Sequence, residues 1–238
     1  MNVTNESILK VTEVVKKYPT GFQSGPSTFD INPGDTVAFL GPNGAGKSTL
    51  FQMISGNMDP DSGQILFQNQ KLHPEAYDMK KKIGYLPQNM MLPKWSSGKE
   101  VLNYAAGLYQ ISNPESALNE LMEYWDCASY QHKPLESCSH GMQKRIGLAL
   151  SCLHNPQLLI LDEPFSGLDL FHIRALIDEI KRRKSCGLGT ILSTHIAPYV
   201  ARLCSSVQVI ESGKMTELTT WSGLAESEKV SAIESRFQ

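Results

Sequence analysis

Nine consecutive residues, Gly41-Pro-Asn-Gly-Ala-Gly-Lys47-Ser48-Thr49, carry the densest chemistry in the chain. They fit the pattern G-x-x-x-x-G-K-[ST], in which the glycines let successive backbone N–H groups turn inward around a phosphate. Gly41, Pro42, Asn43, Gly44, Ala45 and Gly46 form the cradle, and Thr49 follows on the helix behind it. Lys47 can reach β- and γ-phosphates, while the Ser48 hydroxyl can bind Mg²⁺. A second constellation is Asp162-Glu163, which ends the apolar run Leu158-Leu-Ile-Leu161. Ligands of open α/β sheets gather at the carboxyl ends of strands, so Asp162 should arrive beside the phosphates and hold Mg²⁺. Glu163, one residue further on, can orient or deprotonate an attacking water. The two motifs together imply a nucleoside triphosphate as the ligand.

Each motif needs particular elements to position it. Thr36-Val-Ala-Phe-Leu40 reads as a buried strand ahead of the glycines, and Leu50-Phe51-Gln-Met53-Ile54 as a helix behind them. A strand, loop and helix in that order is the context the motif requires. Ile8 to Val15, Gly63 to Phe67 and Ile83 to Leu86 read as further strands, and Gly21 to Ser27 as a Gly/Pro/Ser turn region. Asn32-Pro-Gly-Asp35 reads as a tight turn. Residues 89–155 change character and read as mainly helical. Ser97-Gly-Lys-Glu100 fits a capping box opening a helix through Tyr109. Asn113-Pro114 fits an N-cap with proline at the first helical position, followed by Leu118, Leu121, Met122 and Trp125 at helical spacing. Strands at Leu158–Leu161, Thr190–Ser193 and Val207–Ile210 alternate with helices at Leu170–Arg183 and Ala197–Cys204. Such alternation predicts an α/β core with a mostly parallel sheet and a helical insertion.

Composition narrows the partners. The 238 residues suit one domain with a substantial core, and their net charge of −2 leaves no electrostatic footprint for nucleic acid. Lys80-Lys81-Lys82 reads as a solvated face, and Lys181-Arg182-Arg183-Lys184 as the cationic end of a helix. Five dispersed cysteines without a C-x-x-C pair fit a reducing cytosol better than a disulfide framework or zinc site. The first residues lack the regions of a signal peptide, and no run of eighteen apolar residues occurs, so the expectation is a soluble chain.

These residues resemble the ATP-binding subunits of ABC transporters, from about Ile8 to Met215. The most specific element is Cys138-Ser139-His140-Gly141-Met142-Gln143-Lys144-Arg145, at the place of the family signature Leu-Ser-Gly-Gly-Gln. Ser139 and Gly141, at the N-terminus of a helix through Leu153, would form a second anion site; Ser139 is also a plain N-cap. Three positions depart from the signature. Cys138 replaces Leu, with a packing role; His140 replaces the first Gly and either donates to phosphate or ribose or points away; Met142 replaces Gln. The Ser-His-Gly-Met version looks like those of bacterial export-type ATPases.

The resemblance implies the remaining assignments. Tyr18 would stack on adenine, although a surface packing role fits it too. Gln88 resembles the glutamine that reaches Mg²⁺ and the water, Ser166-Gly-Leu-Asp169 the D-loop that crosses the dimer interface, and His195 the switch histidine at the γ-phosphate. The implied fold is a P-loop NTPase core (residues 1–88 and 156–215) with an N-terminal antiparallel β-subdomain. A helical subdomain (89–155) carries the signature turn, and a short helical tail (216–238) follows. ATP and Mg²⁺ are the implied cofactors. A second ATPase subunit, paired head to tail, and a separate transmembrane permease are the implied partners, placing the chain at the cytoplasmic face of a membrane. Met90, Met91, Leu92 and Trp95 suit either a permease groove or ordinary core. Two other classes fit less of the sequence. A soluble non-transport ABC ATPase would stay free of membranes, and a P-loop kinase would have no use for a signature turn.

Overall fold

The computed structural model describes residues 6–218, 221 and 223–237. Two sheets divide the strands. β1 (Leu9–Lys17), β2 (Gln23–Ile31), β4 (Ser62–Phe67) and β5 (Gln70–Lys71) form an antiparallel sheet in the order β2-β1-β4-β5. The second sheet contains β3 (Thr36–Leu40), β6 (Ile83–Leu86), β7 (Leu158–Asp162), β8 (Gly189–Ser193), β9 (Ser206–Glu211) and β10 (Lys214–Glu217). Its order is β10-β9-β3-β8-β7-β6, parallel throughout except for β10. The helices are α1 (Lys47–Ile54), α2 (Tyr77–Lys80), α3 (Gly98–Leu108), α4 (Pro114–Tyr124), α5 (His140–Cys152), α6 (Leu170–Ser185), α7 (Ala197–Leu203) and α8 (Glu226–Arg236).

β3, β7 and β8 are buried at every residue, as parallel strands covered on both faces must be. Their period-2 alternation sorts side chains into two cores. Ala38, Leu40, Leu159, Leu161 and Leu192 join the cluster beneath the helices, with Leu102, Leu118, Trp125, Ile146 and Leu176. Val37, Phe39, Leu158, Ile160 and Ile191 join the opposite cluster, with Phe51 of α1 and Val11, Phe29 and Ile65 of the antiparallel sheet. Phe39 stacks edge-on against both Phe29 and Phe51. The two cores clamp β3, β8 and β7 side by side, which fixes where their carboxyl ends emerge.

Several expectations shift. The stretch read as a Gly/Pro/Ser turn is largely β2, whose alternate residues Ser27, Phe29 and Ile31 are buried, as is Ser24 beyond a shift in register. Small polar residues on the buried face hide that alternation. Asn113 stands at the start of α4 with φ 53°, but its side chain makes no capping bond. The Ser97–Glu100 capping box is present in full. The cationic run closes α6 as expected, but its member Arg183 does more than complement the helix end. It is fully buried and donates to Pro156 O (3.0 Å), Gly189 O (2.9 Å) and Thr190 Oγ1 (3.2 Å), tying α6 to the segments that enter β7 and β8. Removing it strands buried acceptors, which costs more than the bonds themselves contribute. Arg183→Ala should therefore destabilise the fold by about 3 kcal/mol. Thermal denaturation should show a midpoint about 6–12 °C lower in a chain of this size.

Candidate functional site

The glycine loop leaves β3 through backbone that only glycine tolerates well. Gly41 has φ 151°, and a Cβ there would run into the Ile210 carbonyl; Gly46 has φ 110° and faces Ser24. Gly46 is the N-cap of α1, so the loop delivers its amides at a helix N-terminus. Lys47 is buried and folds back over the loop, donating to Gly41 O (2.6 Å) and Pro42 O (3.0 Å). Its burial lowers the ammonium pKa, against the opposing pull of Glu163 and Asp162.

Three elements converge on Asp162. Its Oδ2 accepts from Ser48 Oγ at 2.8 Å and its Oδ1 from Ser193 Oγ at 2.6 Å. The Glu163 amide donates to the same Ser193 Oγ at 3.0 Å. Asp162 and Ser193 are register partners on β7 and β8, so the strand pairing itself builds the contact. Glu163 then turns away with φ 48°, a left-handed conformation uncommon outside glycine. Its Oε1 lies 2.9 Å from His195 Nε2, yet that buried oxygen accepts no hydrogen bond. Burial pushes the Glu163 carboxyl above its ordinary pKa, with His195, Lys47 and Lys144 pulling the other way.

A cavity of about 320 Å³ is lined by Phe22, Asn43, Gly44, Gly46, Lys47, Ser48, Thr49, Gln88, Asp162 and Glu163. The loop, both carboxylates and Gln88 thus meet in one place. The cavity suits phosphate and a divalent cation: oxygen donors Ser48, Asp162 and Gln88 stand opposite a glycine nest, and Gly44 faces open space. Tyr18 is not among the lining residues. Its turn pairs backbone with Phe22, and its hydroxyl is 3.1 Å from Thr49 Oγ1, which leaves Phe22 as the aromatic facing the loop. Gly41, Pro42 and His195 border a neighbouring apolar cavity.

Ser139 and Gly141 line neither cavity. Ser139 caps α5, accepting from Met142 N at 3.2 Å. A Cβ on Gly141 would stand 2.7 Å from Gly167 O, and one on Gly167 would stand 2.7 Å from His140 Cδ2. The turn therefore packs on the Ser166–Asp169 loop of its own chain, and His140 lies over Gly167. Cys138 is buried, consistent with packing.

Three residues went unnoticed in the sequence. Ser193 is visible as a hydroxyl ending an apolar strand beside β7. Phe22 lay hidden in the apparent turn region. Lys144, one turn before Leu148 on the core face of α5, is buried and feels the charges of Asp162 and Glu163. After Gln88 the apolar residues split: Met90 and Leu92 pack against the core, while Met91 and Trp95 are 99% and 81% exposed.

The ABC transporter family profile matches residues 25–166. This chain belongs to the ABC transporter ATP-binding family. It is 33% identical over 221 residues to the uncharacterised ABC transporter ATP-binding protein YxlF of Bacillus subtilis, covering 91% of this chain and 70% of that one. It is 33% identical over 209 residues to the Nod factor export ATP-binding protein I of Sinorhizobium fredii, covering 87% and 61%. A solved ATP-binding subunit of an ABC transporter superposes with a TM-score of 0.84 at 28% identity, covering 96% of this chain and all of that one. The ABC fold expected from the sequence, an α/β P-loop core with a largely parallel sheet, is borne out, as is the ATPase class. The chain is an ATP-binding subunit of an ABC transporter. No described helix is long and apolar enough to cross a membrane.

The raised pKa of Glu163 has a consequence for stability. A carboxyl that holds its proton more tightly folded than unfolded weakens the fold as pH rises through that range, and costs nothing once both states are protonated. Without nucleotide, Glu163→Gln should melt above the parent at pH 8. That gap should close as pH falls toward the ordinary carboxylate range, followed by thermal denaturation across pH.

Proposed function

We propose that this subunit pairs head to tail with a second copy and hydrolyses ATP at two shared sites. The observation that carries this reading is the separation of two anion-suited features. The glycine loop, Asp162 and Glu163 share one cavity, whereas Ser139 and Gly141 open α5 beside the Ser166–Asp169 loop and line no part of it. A turn suited to phosphate but remote from its own phosphate loop is of use to another chain's ATP.

In that arrangement the loop amides and Lys47 hold the β- and γ-phosphates, and Phe22 or Tyr18 supports the base. Ser48, Asp162 and Gln88 would hold Mg²⁺, which supplies charge neutralisation across the phosphoryl oxygens. Glu163 orients and deprotonates the water, a task its raised proton affinity favours. His195, 2.9 Å from Glu163, would reach the γ-phosphate once ATP is bound. Ser139 and Gly141 of the other copy close the site.

Transport then requires a separate permease, placing the chain at the cytoplasmic face of a membrane. Exposed Met91 and Trp95 just beyond Gln88 suit such contact, as does a groove of about 620 Å³ lined by Tyr77, Tyr85, Pro87 and Leu108. Export is the favoured direction, supported by the Ser-His-Gly-Met turn and by the name of the rhizobial relative.

Two outcomes test this reading. Glu163→Gln should retain ATP binding while phosphate release slows at least ~10²-fold, the usual range for losing a general base. Near-parent turnover would refute the role. Trp95→Ala should leave the ATPase activity of the isolated subunit unchanged but weaken its recovery with the permease on co-purification. An intact, coupled complex would remove Trp95 from the contact.

A further inference from the structure

His172 is buried in the first turn of α6, and nothing in the chemistry above uses it. Both of its ring nitrogens are engaged. Nδ1 is 2.7 Å from Asp169 Oδ1, in the loop that precedes α6. Nε2 is 2.8 Å from Arg145 Nη1, on the helix that begins at Ser139. Nε2 also lies 3.4 Å from Asp126 Oδ2, the carboxylate that holds the same guanidinium. His172 is therefore a relay running from Arg145 and Asp126 to Asp169.

Arg145 is itself pinned. Nη1 contacts Asp126 Oδ2 at 2.6 Å and Asp126 O at 2.8 Å, and the guanidinium lies 5.0 Å above the Tyr130 ring. Asp169 also caps α6, accepting from the amides of Phe171 (3.0 Å) and His172 (3.1 Å). One helical turn before Arg145 comes the second point of attachment, where His140 covers Gly167 and Gly141 meets the Gly167 carbonyl. The Ser166–Asp169 loop is thus held to the Ser139–Gly141 turn at both of its ends.

We propose that His172 is a positioning residue for hydrolysis: by linking Arg145 to Asp169 it makes the loop and the turn move as one body. Both then reach the partner copy's γ-phosphate together. The inference rests on the head-to-tail reading. Loss of the link lets the turn close on ATP while the loop lags, so the cost falls on turnover more than on binding.

Two side chains separate the relay from mere packing. In His172→Gln the amide oxygen can still accept from Arg145. In His172→Asn the shorter side chain reaches Asp169 but falls short of Arg145. Steady-state ATP turnover, KM for ATP and the thermal midpoint are measured for parent and both variants over a range of protein concentrations. Asn should lower kcat about tenfold, within the range for small misplacements of catalytic groups, with KM for ATP and the midpoint little changed. Gln should restore most of kcat. A kcat for His172→Asn within about twofold of the parent, or a Gln variant as slow as Asn, overturns the proposal. A parent whose specific activity does not rise with protein concentration overturns the two-copy reading, and the proposal with it.

Discussion

The site depends on one buried carboxylate. Asp162 is 1% exposed, and a carboxylate so placed survives only if its oxygens are satisfied. Ser48 and Ser193 satisfy them, and in doing so they tie together the helix after the glycine loop and the ends of two neighbouring strands. The contact exists because β8 lies between β3 and β7, so three carboxyl ends emerge together. Everything chemical in this half of the molecule is placed relative to that hinge of hydrogen bonds. Glu163 follows it directly on the chain, and its amide shares the same serine.

Strand order explains the rest of the geometry. Parallel strands buried on both faces cannot slip by one residue without exchanging two cores, so the register of β3, β7 and β8 is strongly specified. Rigid strand ends then support a backbone in unusual conformations, at Gly41, Gly46 and Glu163. The helical part obeys a different logic. It gathers Trp125 and Leu118 with Ile146 of α5 in one cluster and holds the Ser139 turn against the Ser166–Asp169 loop. The chain thus carries the glycine loop and the Ser139–Gly141 turn on separate supports.

Much of this was legible in the sequence because local rules wrote it there. The glycine loop needs a strand before it and a helix after it, and both could be read from apolar runs. The Ser97–Glu100 box marked a helix start because its capping bonds are local. Features set by tertiary contact were harder to read. Phe22 became visible only when a serine- and glycine-rich segment proved to be a strand facing the loop. Arg183 read as one of four cations at a helix end, and only the tertiary structure shows its guanidinium among backbone carbonyls. Nothing local distinguishes Lys144 from its basic neighbours except its spacing from Leu148. His172 needed both Arg145 and Asp169 in view, 27 and 3 residues away in sequence.

The central claim is that each ATP is held by the phosphate loop of one copy and the Ser139–Gly141 turn of another. Sedimentation velocity on Glu163→Gln, with and without ATP and Mg²⁺, tests it most directly, because this variant should hold ATP without consuming it. The account predicts a monomer alone and a dimer once nucleotide is bound. A chain that binds ATP, shown separately, yet sediments as a monomer would contradict it.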